Sequence, residues 1–212
     1  MRKESGTKEI ESSQKFNTHF KVHKTTMQRT KIEQHKLIVL GMGGTIDKDY
    51  PRSTGGYAFE IDEPAAERIL KQLPSLNLQF EVRSICRKDS TEIDAFEREK
   101  LVAAIRAAPP SARIVVTHGT DTLIETAKVL VDSGAAEGKR VAFTGAMKPE
   151  RFKDSDASFN LGGAVIATAQ LPLGSVVVCM GGNVIQASVC VRDKDTGFFC
   201  EQNNICDDEA QE

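Results

Sequence analysis

Lys36-Leu37-Ile38-Val39-Leu40-Gly41-Met42-Gly43-Gly44-Thr45 decides how the rest of this chain is read. Aliphatic and β-branched residues running into glycines have the grammar of a buried strand. It stops at a loop whose backbone bends tightly and lies open to a ligand. The pattern recurs at Arg113-Ile114-Val115-Val116, which runs into Thr117-His118-Gly119-Thr120-Asp121-Thr122. Each transition puts a threonine at the loop mouth, which points to hydroxyl chemistry more than to phosphate cradling. The chain has neither the lysine-serine ending of a P-loop nor a spaced Gly-x-Gly-x-x-Gly.

Outward from these two anchors, strand and helix patterns alternate. The strand segments are 36–41, 78–86, 113–118, 140–144 and 175–180; the helical ones are 64–73, 93–107, 121–133 and 158–169. Pro64 suits the first turn of a helix, and Thr122 with Glu125 reads as a capping box. Such alternation predicts an α/β fold: a three-layer sandwich with a mainly parallel, Rossmann/flavodoxin-like sheet. Residues 46–62, with Pro51 and Gly55-Gly56, break the rhythm and read as a hairpin or flap that closes over substrate.

Length and composition set bounds. The 212 residues suit one domain with tails, and 40% hydrophobic with 27% charged content is ordinary for a soluble protein. A net charge of −2 argues against nucleic acid as a partner. No apolar run approaches the ~18 residues of a membrane span, and no hydrophobic leader opens the chain, so a cytoplasmic location is expected. The 5 cysteines include no Cys-x-x-Cys pair and read as reduced thiols rather than a metal site. Residues 1–35 read as a disordered extension, in which Glu4, Glu9, Glu11 and Glu33 count against a transit peptide. Residues 36–200 read as the folded domain and 201–212 as an acidic disordered tail.

In a parallel sheet the loops after the carboxyl ends of the strands share one edge. Thr45, Asp89-Ser90, Thr120-Asp121 and Thr144–Lys148 should therefore face one crevice. Backbone N–H groups of the glycine loop are candidates to hold an oxyanion there. Plainer roles stand beside these. Gly43-Gly44-Thr45 can be a tight turn or anion nest, Thr120-Asp121 a helix cap, and Ser90 the start of the helix near 93. His118 reads as an orienting hydrogen-bond partner rather than a base. Lys148 and Arg151 read as loop charges, and Phe59, Phe152 and Phe159 as core or flap packing.

Together, Gly43-Gly44-Thr45-Ile46 and His118-Gly119-Thr120-Asp121-Thr122 resemble the motifs of the threonine-nucleophile L-asparaginase family. The resemblance runs from about Lys36 to Phe199 through Thr144-Gly145-Ala146-Met147-Lys148-Pro149. It covers the N-terminal domain of two-domain members and is most like short, single-domain relatives; their C-terminal domain, which helps build the dimer, is not matched. It implies hydrolysis of a small amino-acid amide, L-asparagine or a related amide, through a threonine acyl-enzyme. It implies no metal or organic cofactor, and a homodimer is the default assembly. By the resemblance, Thr45 is the nucleophile, Ser90 the substrate-carboxylate contact, and Thr120 with Asp121 the second threonine and its acidic partner. Gly44 and Ala146 line the substrate, and Tyr57, with Tyr50 competing, is the flap tyrosine. The family's triad lysine falls on Arg192, with Lys194 two residues on. Asn183–Val191 also lacks the acidic residues usual in relatives. Arginine stays charged and cannot accept a proton. A catalytically weak amino-acid-binding or regulatory homologue, and an amidotransferase-associated subunit, are the alternatives.

Overall fold

A computed structural model describes residues 36–50 and 59–204. In chain order they form β1 (Leu37–Gly43), β2 (Lys48–Asp49), β3 (Glu60–Ile61), α1 (Ala65–Gln72), β4 (Phe80–Lys88), α2 (Ala95–Arg106) and β5 (Arg113–Thr117). There follow α3 (Leu123–Asp132), β6 (Arg140–Thr144), α4 (Ala157–Gln170), β7 (Ser175–Met180), β8 (Asn183–Gln186), β9 (Cys190–Arg192) and β10 (Phe199–Glu201). Five strands lie parallel in the order β4-β1-β5-β6-β7, and β8 adds an antiparallel edge. Leu37 stands beside both Phe80 and Arg113. The strand order thus reverses at β1, where a sheet of this kind opens a crevice at its carboxyl edge.

Alternation along the strands divides the core in two. Leu37, Val39, Val115, Ala142 and Val177 pack on one face against Ile69 and Leu70 of α1 and Leu161 and Ala164 of α4. Ile38, Leu40, Ile114, Val116, Phe143 and Val178 pack on the other against Leu101 and Ile105 of α2 and Leu123 and Leu130 of α3. Because both faces are covered, the strands read as unbroken aliphatic runs. Each buried Leu, Ile or Val stabilises the fold by roughly 1.5–3 kcal/mol.

Several local expectations are corrected. The Thr122–Glu125 capping box does not form, because the Thr122 hydroxyl donates to the Ser90 carbonyl at 2.7 Å. A capping box does start α2, between Asp94 and Glu97, so Ser90 is not the start of that helix. Pro64 stands at the N-cap of α1 rather than in its first turn. Phe159 is 67% exposed on α4 and is not core. Phe59 packs between Tyr50 and Phe152, with ring centroids 4.9 and 5.7 Å away.

The β2–β3 pair, with Lys48 opposite Ile61, closes the base of the insertion after Thr45. Tyr57 lies outside the described residues, as do the N-terminal extension and most of the acidic tail. Strand β10 pairs with β9 up to Glu201, and Gln202 N donates to Val189 O at 2.9 Å, so order extends into the stretch read as tail. Cys86, Cys179, Cys190 and Cys200 are free thiols. Among the described residues no helix is long and apolar enough to cross a membrane.

Candidate functional site

Glycine backbone makes the rim. Gly43 and Gly44 have φ of 88° and 87°, in the left-handed region that L side chains avoid. A Cβ on Gly44 would overlap the backbone of Gly119, and one on Gly119 would stand 2.6 Å from Ser90 Cβ. Gly44 N donates to Lys88 O at 3.0 Å, and His118 N to Thr144 O at 2.9 Å. The loops after β1, β4, β5 and β6 are thereby joined through main chain. Thr45 and Thr120 each follow one of the touching glycines, so both threonines leave from one point. Thr45 opens a 3-10 turn (Thr45–Asp47) and is partly exposed, whereas Thr120 is 9% exposed. Among the described residues no hydrogen bond engages either hydroxyl. The Gly44 N–H, by contrast, is committed to Lys88 O, so this donor, expected to be available to an oxyanion, is not free.

The charged corner is built differently. Arg192 Nη1 lies 3.1 Å from Asp121 Oδ1, and its Nε donates to Gly197 O at 3.1 Å. The guanidinium also lies over the Phe199 ring, 5.8 Å from its centroid. Arg192 therefore reaches the acid after Thr120, while Lys194 is exposed in the following turn. Asp121 itself is exposed.

Of the remaining expected residues, Ser90 and Ala146 are each 1% exposed, and the Ser90 side chain is packed against Gly119. Thr144 does not face the crevice as a free hydroxyl; it is buried and donates to Cys179 O at 2.8 Å. Lys148 is paired with Asp154, and Arg151 Nε with Asp49 Oδ2 at 2.8 Å. Across the rim, Lys48 Nζ holds Asp89 Oδ2 at 2.9 Å. Tyr50 is 66% exposed against Phe59.

His118 is fully buried, and its Nδ1–H donates to Gly119 O at 2.9 Å. Burial holds its pKa down at about 4, so the ring is neutral, and its Nε2 has no hydrogen-bond partner among the described residues. Its contact with Gly119 O fastens the ring to the loop that carries Thr120.

Sequence reading missed Asp47. It is 1% exposed, and its Oδ1 accepts the Ala65 N–H at 2.7 Å. Burial pushes its carboxyl up to about 7, against the hydrogen bond from Ala65 and the attraction of Arg68 and Arg87. Nothing in Thr45-Ile46-Asp47 distinguished it from an ordinary loop acid.

A cavity of about 420 Å³ opens over the ends of β6 and β7, lined by Met147, Lys148, Asp156, Met180, Asn183 and Phe198. Gly197, whose carbonyl Arg192 holds, is in its wall, while Thr45, Ser90 and Thr120 are not. It adjoins the charged corner rather than the threonines. Among the described residues no three His, Cys, Asp or Glu side chains group as metal ligands.

Residues 36–200 match the family model described as asparaginase, N-terminal. A probable periplasmic L-asparaginase of Haemophilus influenzae is 30% identical over 165 residues, covering 76% of this chain and 47% of that protein. Probable L-asparaginase 3 of Schizosaccharomyces pombe is 29% identical over 140 residues, covering 62% and 38%. A glutamyl-tRNA(Gln) amidotransferase subunit of Pyrobaculum aerophilum is 28% identical over 154 residues, covering 71% and 36%. The solved thermostable L-asparaginase from Thermococcus kodakarensis is similar at a TM-score of 0.63 and 25% identity, over 78% of this chain and 51% of that one. The chain spans about half or less of the length of these relatives.

Proposed function

Because the chain belongs to the asparaginase family, we propose that it is an amidohydrolase acting on the side-chain amide of a small amino acid, L-asparagine first, with Thr45 as nucleophile. The observation that carries this reading is the pair of threonine hydroxyls, unengaged among the described residues, leaving from one glycine contact. The Thr45 hydroxyl gives up its proton as its oxygen bonds to the amide carbon, the C–N bond breaks, and the nitrogen takes up a proton equivalent to the one released and departs as ammonia. Water then cleaves the acyl-threonine to give the carboxylate and restore the hydroxyl. Thr120 and Asp121 position water and the substrate ammonium group. Ser90 meets the substrate carboxylate only if the Gly119 loop lifts from it. Gly44 and Ala146 leave room for substrate, and Tyr57 is the flap residue that assists Thr45. Arg192 cannot take a proton, so its part is electrostatic.

Ammonia release from asparagine, glutamine and D-asparagine by the whole chain tests the proposal. Thr45→Ala and Thr120→Ala should each lower kcat by about 100-fold or more. Unchanged release in both variants rejects the mechanism.

The Arg192–Asp121 pair favours a second reading, an amino-acid-binding homologue with weak turnover. Calorimetry with aspartate and asparagine separates the two: tight binding without ammonia release supports the sensor. The likeness to an amidotransferase component supports a third reading, an ammonia-supplying subunit. Co-purification with a partner supports it, and robust activity of the isolated chain counts against it.

A further inference from the structure

We propose that Asp47 is the positioning residue of the Thr45 turn, a buried carboxyl that locks the nucleophile's backbone to both ends of the insertion that follows it. The inference rests on Thr45 being the attacking group and adds a residue that no sequence motif assigned.

Thr45's hydroxyl makes no hydrogen bond among the described residues, so the frame of its own turn aims it. That turn is tied down on several sides. Asp47 N donates to Gly44 O at 3.1 Å, and Glu150 N to Ile46 O at 3.2 Å. Asp62 N, just past the insertion, donates to Asp47 O at 3.0 Å. A side chain adds the last tie: Asp47 Oδ1 accepts the Ala65 N–H at 2.7 Å. Ala65 begins α1, whose N-cap is Pro64, a residue with no side-chain acceptor. Asp47 therefore serves as a cap borrowed from the nucleophile's turn, and one residue fastens Thr45, the return of the insertion and the first turn of α1.

The charges facing Asp47 explain why the tie responds to pH. Arg68 of α1 and Arg87 of β4 attract its ionised form, and Asp62 repels it. Both arginines are partly committed, Arg68 to Glu150 at 2.9 Å and Arg87 to Glu63. Burial outweighs them and lifts the carboxyl to about 7. Below that pH the protonated group keeps one oxygen for Ala65 at no cost in buried charge. Above it an ionised carboxylate sits in the core and strains the turn.

Amide hydrogen exchange over residues 59–70, together with kinetics of the whole chain, tests the proposal. Asp47→Ala should speed exchange there, and lower kcat with KM nearly unchanged, each by about tenfold or more. Asp47→Asn keeps an acceptor oxygen and should restore most of both. Wild-type exchange in this segment, corrected for the intrinsic rate, should rise as pH climbs from about 4 towards 7 and level off above it, and the Asn variant should show no such step. Wild-type exchange and kcat in Asp47→Ala overturn the proposal, as does a pH step that survives in Asp47→Asn. If Asp47→Ala does not fold, the comparison of wild type with the Asn variant decides. Should the wild-type chain release no ammonia, the Thr45 reading fails, and the exchange measurements alone then uphold or reject the Asp47 lock.

Discussion

Two corners of the same rim are held by opposite means. Between the loops after β1 and β5, backbone meets backbone at Gly44 and Gly119, with no space for a side chain between them. At the β9 corner, one ion pair between Arg192 and Asp121 spans exposed surface. The first is over-determined, because φ, packing and main-chain hydrogen bonds all demand the same geometry. In the second, Gly197 O and the Phe199 ring steady the guanidinium, but its link across to Asp121 is one ion pair that water and salt compete with. A rim of this kind keeps its threonines fixed and leaves its charges adjustable.

The largest effect should come from Gly44→Ala. The new Cβ meets Gly119 backbone at a φ no alanine favours, and a loss of about 3 kcal/mol or more in denaturant unfolding is expected. A loss under about 1 kcal/mol would break the comparison, since the backbone corner would then yield as easily as the charged one.

Next is the pH dependence set by His118, beneath the same glycine corner. Its folded pKa, about 4, lies below the ordinary value of 6.5, so the unfolded chain binds more protons between those limits. The stability it contributes is complete above pH 6.5 and is lost as pH falls towards 4, by up to about 3 kcal/mol. Thermal unfolding of wild type beside His118→Gln across this window checks it. The variant should lack that slope even if it is less stable throughout.

At the charged corner Arg192→Lys should barely move stability, by under about 0.5 kcal/mol, yet raise ammonia release about tenfold if proton transfer is what limits turnover. An unchanged rate would show that the departure from lysine is not the constraint. Smallest of all, a double-mutant cycle on Asp121 and Arg192 should give a coupling of about 0.5 kcal/mol that fades as salt rises.

The parallel sheet was legible because β1, β5, β6 and β7 are covered on both faces and therefore read as uninterrupted aliphatic runs, from Leu37 to Val178. The edge strand β4, by contrast, is only partly buried and mixes charged with apolar residues. The threonine loops were legible for a related reason: glycine after such a run announces close backbone approach, which Gly44 and Gly119 then show. Short elements were not. Strand β8 and the β9–β10 hairpin are three or four residues each, too brief for a period to emerge. Thr122 offered a local partner in Glu125 but gave its hydroxyl to Ser90, a contact between distant loops that no window of sequence contains. Asp47 failed to register for the same reason, since its partner Ala65 lies beyond the insertion. Arg192 was legible as a departure, and its reach to Asp121 followed from the position it occupies after the last parallel strand.

Strand β1 lies between β4 and β5, both of which are made long after it. During synthesis the chain must carry an unsatisfied aliphatic ribbon, with Thr45 at its end, until two later segments arrive to flank it. Docking of that kind is slow because distant pieces must meet. A nascent chain released before Thr120 emerges has made one of the two glycine-threonine loops and lacks the Gly119 backbone that Gly44 packs against. Thr45 therefore stays without its neighbouring loop until translation has passed residue 120 and β5 has zipped alongside β1.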